Sequence, residues 1–426
     1  MNSHQVESRA GVLYNDLIEE ILSFLDVKSL TRFKCVSKSW KTLISDPTFI
    51  KLHLKRSARN THLTLIYDDV KMVCFPLHRL IQNTSITLAD NPYFHEPCFL
   101  DSPFFQEPDF PLYRRLEVVG SCNGLLCLYG YVTNSNYEEI FLYLWNPATK
   151  TLSNKIVFLH DEFHLRKCGR DKMINTRSLY TLWRFWFGYD DSINDYKIVA
   201  YYEKINEVRV FNLGDNVWRH IQSFPVAPFM DISTCPHTHL GINAGVYVSG
   251  TVNWLAIRNA CPCNFELKSI TIDQFVIISL DLRTETYNQF LLPLGFDEVT
   301  SVEPTLSFLM DSLCFSHDFH GTHFIIWQMK EFGVDKSWTQ FLKISYLSLP
   351  IDYDENNGSS LQYPCPLSFF PLCLSENGDT LILAFDAANS AILYNLRDNR
   401  GEEIRIRNLV RWFCAKNYVE SLVSTS

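Results

Sequence analysis

The sequence predicts a mainly β protein in which a small N-terminal α-helical module precedes a β-propeller-like domain of about six four-stranded blades. Helical periodicity of apolar residues is confined to residues 13–54. After this stretch, strand-like runs recur in sets of four, and the sets begin about sixty residues apart. Aromatic residues make up 14% of the chain, with 18 prolines and 16 glycines, a composition that favours a β-rich, turn-rich architecture.

The N-terminal module begins with an amphipathic helix. Leu17, Ile18, Ile21, Leu22 and Leu25 occur at i, i+1, i+4, i+5 and i+8, which predicts one apolar stripe. Three or four short helices in about forty residues bury too little surface to form a comfortable core alone. Part of this apolar surface is therefore expected to contact another surface.

Two further short helices follow from local signals. Ser29 is predicted to open the second helix and Ser37 the third. Trp40 lies in the third helix with apolar neighbours at helical spacing. Pro47 is expected to end it, and Phe49 belongs to a further turn.

Residues 13–54 resemble an F-box, because DLIEEIL, VKSL, RFKCVSKSW and LISDPTF match the plant F-box pattern nearly residue for residue. The resemblance implies docking on the Skp-type adaptor of an SCF ubiquitin ligase, and through it on a cullin. Tyr14 and Asp26 stand where the pattern has proline. An ordinary helical N-terminal domain is the alternative. The residues expected to bind the adaptor are Leu13, Asp16, Leu17, Ile18, Ile21, Leu22, Leu25, Leu30, Cys35, Val36, Trp40 and Leu43.

Charge is distributed unevenly along the chain. Nine basic residues and one acidic residue, Asp46, lie between Lys28 and Arg59, which gives this segment a net charge of +8. Because the whole chain carries −9, the remainder carries −17. A basic module suits an acidic partner surface through electrostatic steering, although solvated helix faces would look the same. The overall acidity argues against broad nucleic-acid binding.

Composition also bears on the compartment. The 13 cysteines are scattered without a disulfide-framework spacing, which fits a reducing environment. The N-terminus has no apolar signal-peptide region, and no run reaches the roughly 18 apolar residues that span a bilayer. We therefore expect a soluble intracellular protein, in the cytoplasm or nucleus, with no membrane partner.

Five sets of four predicted strands follow the module. Related phrases join the third strand to the fourth in each set, among them LWNPATKTLS, SLDLRTETYNQF and YNLRDNRGEEI. Asn123-Gly124 predicts the first hairpin turn, because both residues tolerate positive φ. Runs within residues 63–76, with the C-terminal run 409–418, could form a sixth blade that leaves no open edge. A β-sandwich with long hairpins is the alternative. The sets begin at Leu116, Trp183, Gly245, Leu306 and Phe369. The last strand of the first set is predicted at Thr151–Phe158, and residues 82–113 before the first set are predicted to be a long irregular loop.

GSCNGLLCLYG, FGYDDSINDYKIVAYY, VYVSGTVNWLAI and ISLDLRTETYNQFLLP are similar to the associated domain of plant F-box proteins, including the F-box/kelch-repeat and S-locus F-box types. The kelch glycine-pair signature is not present. With the N-terminal motif, the resemblance covers nearly the whole chain. It implies an F-box module at residues 1–58 and an F-box associated domain at residues 59–426 that captures a client protein for ubiquitination.

Motifs for metal or catalytic chemistry are weak. No C-x₂-C pair, H-E-x-x-H, nucleophile elbow or phosphate-binding loop occurs. We therefore expect no catalytic site, no metal and no cofactor. The groups that could suggest metal ligands are HDFHGTH with His317, His320 and His323, CPHTHLG with Cys235, His237 and His239, and the Cys261–Cys263 pair.

The sequence thus favours the substrate-recognition subunit of an SCF-type ubiquitin ligase, and it does not identify the client. One alternative is a propeller enzyme or sugar-binding module, and another is a scaffold whose F-box has decayed. Two insertions, His160–Arg177 and Arg258–Gln274, are long enough to bind a partner, with plain solvent-exposed loops as the alternative.

Overall fold

The computed structural model confirms a mainly β protein with N-terminal helices and a six-bladed β-propeller. It describes residues 16–57, 61–67, 71–82, 85–86, 115–133, 137–162, 183–226, 228–229, 245–258, 270–300, 302–350, 368–385, 390–406 and 410–425.

The helical module consists of four α-helices. Asp26 accepts a hydrogen bond from the Ser29 backbone N–H at 2.6 Å and caps the second helix, which therefore begins before the predicted Ser29. Ser37 caps the third helix as predicted, accepting from the Trp40 N–H at 3.1 Å. The helices of the described chain are α1 (16–22), α2 (Val27–Phe33), α3 (Lys38–Ile44), α4 (Pro47–Ser57) and, beyond the module, α5 (Leu77–Gln82).

The strands form six sheets, antiparallel except for one short added strand, which we number as blades in the order set by the predicted repeats. Blade 1 contains β4 (Arg115–Cys122), β5 (Leu125–Thr133), β6 (Tyr137–Asn146), β7 (Thr151–Leu152) and β8 (Ile156–Glu162). Blade 2 contains β9 (Trp183–Asp190), β10 (Asp195–Tyr202), β11 (Glu207–Asn212) and β12 (Val217–Ile221). Blade 3 contains β13 (Val246–Val248), β14 (Thr251–Ile257), β15 (Phe275–Asp281) and β16 (Thr286–Phe290).

The remaining sheets complete the ring. Blade 4 contains β17 (Thr305–Leu309), β18 (Ser312–Phe319), β19 (His323–Met329) and β20 (Trp338–Ser345). Blade 5 contains β21 (Phe369–Leu374), β22 (Thr380–Phe385), β23 (Ser390–Asn395) and β24 (Arg400–Ile406), with β3 (Ser85–Ile86) added in parallel to β24. Blade 6 is three-stranded, in the order β2 (Lys71–Pro76), β1 (Thr61–Tyr67) and β25 (Lys416–Val419).

Both ends of the chain meet in blade 6, as predicted. Strand β25 runs antiparallel to β1, with Thr61 opposite Val419 and Thr64 opposite Lys416. Every blade thus contributes an inner strand, namely β25, β4, β9, β13, β17 and β21. Pairing the two termini closes the ring with hydrogen bonds rather than leaving an open sheet edge.

Two local predictions need correction. The run Thr151–Phe158 is not one strand but two, because Ser153 interrupts the ladder: its hydroxyl accepts from the Leu144 N–H at 2.9 Å, and its own N–H donates to the Leu144 carbonyl. The stretch 82–113, predicted to be irregular, includes the short strand β3, and residues 87–114 lie outside the described part.

A repeated turn explains the phrases shared by the blades. Asn146, Asp281 and Asn395 each use a side-chain oxygen to accept two backbone N–H groups from the turn that follows. Each turn ends in a left-handed residue, at φ 58° for Lys150 and 56° for Glu285. Asparagine and aspartate favour this Asx geometry, so the recurring letters encode one turn.

The propeller has two distinct faces because each blade is an antiparallel meander. The turns that join the first strand to the second and the third to the fourth lie on one face, here called the module face, since Lys51 of α4 donates to Asn194 in the β9–β10 turn at 2.6 Å. The connections between second and third strands, and those between blades, lead from the opposite face.

Candidate adaptor-docking surface

Helix α1 has an inward apolar stripe. Ile18, Leu22 and Leu25, at i, i+4 and i+7, pack into the core of the module. Trp40 packs edge-on against Phe33, with ring centroids 5.3 Å apart. The buried members of this core are Leu22, Val27, Leu30, Ile44, Phe49 and, from the end of the chain, Leu422.

A second stripe on α1 points into solvent. Leu17, Ile21 and Phe24 also follow i, i+4 and i+7 spacing, and their exposed fractions are 62%, 64% and 65%. The backbone turn after α1 keeps this spacing on one side, since Phe24 N–H donates to the Ile21 carbonyl at 3.3 Å. We call these three residues the outward stripe. Single exposed apolar residues are ordinary, but three in register on α1 and the turn that follows it indicate a contact surface.

The structure divides the residues predicted to bind the adaptor into three groups. Leu13 lies outside the described residues. Leu22 and Leu30 are buried, so in this arrangement they support the surface from beneath. The half-buried residues are Ile18, Leu25, Trp40 and Leu43, and the exposed residues are Asp16, Leu17, Ile21, Cys35 and Val36.

Phe24 was not among the predicted residues. Its signal was present in the sequence, because it continues the spacing of Leu17 and Ile21 by one further turn. The guanidinium of Arg56 lies 4.1 Å from the centre of the Phe24 ring and also pairs with Glu20 at 2.5 Å. This contact holds the turn after α1 against α4.

The exposed charges of α2 and α3 are positive, whereas α1 itself carries Asp16, Glu19 and Glu20. Lys28, Arg32, Lys38 and Lys41 are exposed on α2 and α3. Partial burial, and then repulsion from Lys41, lowers the pKa of the Lys34 ammonium. A partner with carboxylates at this position would relieve that repulsion.

The histidines of HDFHGTH have partners within the propeller. His317 is buried, its Nδ1 lies 2.8 Å from the Asp318 carbonyl oxygen, and its Nε2 accepts from the Trp327 indole at 3.2 Å. Burial lowers the pKa of His317. His320 pairs with Glu298 at the surface. These contacts are those of histidines with a structural role in the propeller.

The CPHTHLG motif and the Cys261–Cys263 pair lie outside the described residues, as do residues 163–177 and 259–269 of the two insertions. Arg258 and Gln274, the ends of the second insertion, pair through backbone and side-chain hydrogen bonds of 2.8 and 3.2 Å. Among the residues that the structure describes, no group of three or more His, Cys, Asp or Glu side chains could hold a metal ion. No helix in the described ranges is long and apolar enough to cross a membrane.

The structure thus places the protein in the class of propeller proteins that carry a small helical module with a solvent-exposed apolar stripe. The family model of the F-box domain matches residues 13–52, and that of the F-box associated beta propeller domain matches residues 99–425. Because the second match covers more than half of the chain, the protein belongs to the family of F-box proteins with an F-box associated β-propeller domain.

Relatives in Arabidopsis thaliana agree along nearly the full length. An F-box/kelch-repeat protein is 26% identical over 427 residues, covering 96% of this chain and 94% of its own. The F-box protein CPR1 is 24% identical over 423 residues, covering 96% and 88%. Among solved structures, the nidogen/laminin complex aligns with 85% of this chain and 99% of that one, at 11% identity and a TM-score of 0.37.

Proposed function

We propose that this chain is the substrate-recognition subunit of an SCF-type ubiquitin ligase. Its F-box docks on a Skp-type adaptor, and through it on a cullin, while the propeller captures a client protein. The observation that carries the proposal is the outward stripe of Leu17, Ile21 and Phe24 within the matched F-box. The domain boundary near residue 58 is part of this proposal.

The stripe suits an apolar groove on the adaptor. A helix that presents side chains at i, i+4 and i+7 is the usual form of helix-in-groove recognition. Val36 and Cys35, exposed at the end of α2, extend the apolar contact beyond α1. The exposed lysines and arginine of α2 and α3 would meet acidic residues at the rim, which favours rapid association more than affinity.

The client is proposed to bind the face opposite the module. The module already occupies the other face through Lys51 and Asn194. Three strongly exposed apolar residues lie on connections that lead from the opposite face: Ile205 between β10 and β11, Leu294 between β16 and β17, and Leu347 between β20 and β21. The second insertion begins at Arg258, after β14, on that same face.

We assign no catalytic residue to this chain. The receptor acts by proximity, because holding a client near the charged ubiquitin-carrying enzyme raises the effective concentration of the client's lysines. Buried charged side chains of the propeller pair with one another and join neighbouring blades, which is a structural role and not a catalytic one. Lys197 lies 3.2 Å from Asp190 and 3.0 Å from Glu285, which joins blade 2 to blade 3.

The test is affinity of the purified full-length chain for a Skp-type adaptor. Replacing Leu17 and Ile21 by Ala should weaken binding at least about 100-fold, because each side chain fills part of a desolvated contact. The matched control is Leu294→Ala with Leu347→Ala, which removes the same chemistry from the propeller and should leave adaptor affinity unchanged.

Unchanged affinity of the Leu17→Ala/Ile21→Ala variant would contradict the proposed surface. If the wild-type chain fails to bind and the Tyr14→Pro/Asp26→Pro variant binds, the F-box has decayed and the protein is a scaffold. Failure of both chains would refute the ligase-receptor function.

A further inference from the structure

The last described residues, 416–425, contact several parts of the molecule. Strand β25 closes blade 6, and Asn417 donates to the Leu372 carbonyl of blade 5 at 3.1 Å. Beyond β25, the side-chain amide of Asn146 in blade 1 donates to the carbonyls of Ser421 and Val423 at 3.0 and 2.8 Å. The chain thus leaves the closed ring and crosses blade 1 on the module face.

The same segment enters the helical module. Leu422 is only 6% exposed, and it packs in the module core with Leu22, Leu30 and Phe49. Ala148, from the β6–β7 turn of blade 1, packs against that core as well. A core residue of the module is therefore supplied from the far end of the sequence.

Glu420 adds a polar contact beside Leu422. Its half-buried carboxylate lies near the backbone N–H of Val27, the first residue of α2. Burial, and then the nearby charge of Asp26, raises the pKa of Glu420, while the nearby Val27 N–H and His53 oppose the shift. The segment therefore meets the module through a buried apolar side chain and a half-buried carboxylate.

The fit against blade 1 leaves little space. Gly124, in the β4–β5 turn, has a φ of +79°, and a Cβ added there would lie 2.2 Å from the Ser421 hydroxyl and 2.7 Å from the Val419 carbonyl oxygen. Backbone thus packs directly on backbone at this point. Such close contact indicates a defined path for the segment rather than a loosely placed terminus.

We propose that residues 420–425, the C-terminal latch, fix the orientation of the F-box module on the propeller. The chain joins the two covalently between Ser57 and Thr61. Without the latch, contacts as limited as Lys51 to Asn194 and Ala148 against the module core would allow relative motion by default. The latch adds the shared core at Leu422 and the half-buried Glu420 carboxylate beside the start of α2. Its consequence, a fixed distance between adaptor and client, depends on the proposed function, whereas the latch itself does not.

The test compares the full-length chain with its Leu422→Asp variant by small-angle X-ray scattering and limited trypsin digestion. An aspartate cannot be accommodated in the module core without a large desolvation cost, so the module should detach. We expect a larger radius of gyration and cleavage after Lys55 or Arg56 that is about tenfold faster or more, since local opening exposes this site. The matched control is Leu294→Asp, at a fully exposed leucine far from the module core, whose radius of gyration and cleavage rate after Lys55 or Arg56 should equal those of the wild type.

A second variant that ends at Val419 keeps β25 and removes the whole latch. It should show the same expansion and faster cleavage, with the propeller still unfolding cooperatively. Scattering and cleavage equal to wild type in both variants would overturn the proposal. Loss of cooperative propeller unfolding in both would also overturn it, because residues 420–425 would then be needed for folding of the ring. Neither readout involves the adaptor. A negative result for the latch therefore does not contradict the proposed ligase function, which is tested separately by adaptor binding.

Discussion

The helical module and the propeller differ in how their exposed apolar residues are distributed. In the propeller, strongly exposed apolar residues such as Leu294 and Leu347 are single side chains on connections between blades. In the module, α1 and the turn after it expose Leu17, Ile21 and Phe24 in register. The ring buries the faces of its sheets between neighbouring blades, whereas the helices bury one stripe and leave another in solvent.

The difference follows from size. Small modules bury a smaller fraction of their surface than large domains, and 42 described residues in the module cannot enclose every apolar side chain. The module obtains part of its core from Leu422 of the C-terminal latch. The remaining stripe is the surface that a partner can cover. The same shortage of burial thus explains both the latch and the proposed adaptor contact.

The largest expected effect distinguishes the two stripes of the module directly. Leu30→Ala should lower the free energy of opening the module by about 2–5 kcal/mol, because Leu30 is fully buried in its core. Leu17→Ala should change it by less than about 0.5 kcal/mol, because Leu17 is largely exposed. Hydrogen exchange of residues 16–57 in the full-length chain measures both. Equal losses of stability in the two variants would show that the stripes are not distinct.

Much of the propeller was predictable because its signals are local. Short residue pairs predict hairpin turns. Asn123-Gly124 has φ values of 51° and 79°, which confirms the positive φ predicted for both residues. The Asx turns after Asn146 and Asn395 are likewise set by residues next to each other in the sequence. The repeat then implied the ring. The split at Ser153 was missed because a side-chain hydroxyl substitutes for a backbone group there, which periodicity cannot show.

The candidate site was less predictable because exposure depends on tertiary contacts. Leu17 and Leu22 both belong to an apolar helix pattern, yet the first lies in solvent and the second in the core. Only the packing of α2 to α4 decides between them. Leu422 could not be assigned to the module from any local pattern, because its partners lie almost four hundred residues away. Phe24, by contrast, could have been assigned to the outward stripe from its spacing in the sequence alone.

The next effect concerns the residue that replaces a family proline at the start of α2. Asp26 has a φ of −65°, which proline also adopts, but only the aspartate side chain can accept from the Ser29 N–H. Asp26→Ala should therefore destabilise α2 by about 1 kcal/mol. The control Asp26→Asn keeps the cap and removes the negative charge near Glu420, so it should be neutral or slightly stabilising. Hydrogen exchange of residues 27–33 reports the change, and a destabilised Asn variant would contradict the capping role.

The smallest effect is a pH dependence that belongs to the module core. His53 is buried, with Nε2 2.9 Å from the Leu25 carbonyl oxygen; burial lowers its pKa, and the Leu25 contact, Glu420 and Asp26 oppose the shift. Because the folded pKa lies below the ordinary 6.5, the unfolded module binds more protons in this range, and stability present above pH 6.5 is lost as the pH falls toward the folded pKa.

Between pH 7 and pH 6 the loss is at most about 0.7 kcal/mol, the limit for a histidine that stays neutral when folded. His53→Gln should remove this response from the module, since glutamine does not titrate. It should leave the response of the propeller around His317 intact, because His317 is a separate buried histidine with a lowered pKa. The measurement is the free energy of opening from hydrogen exchange at the two pH values, corrected for intrinsic exchange rates, for residues 16–57 and 305–329. A pH response of the module that persists in His53→Gln would show that other groups cause it, and Glu420 of the C-terminal latch, whose pKa is raised, would be replaced next.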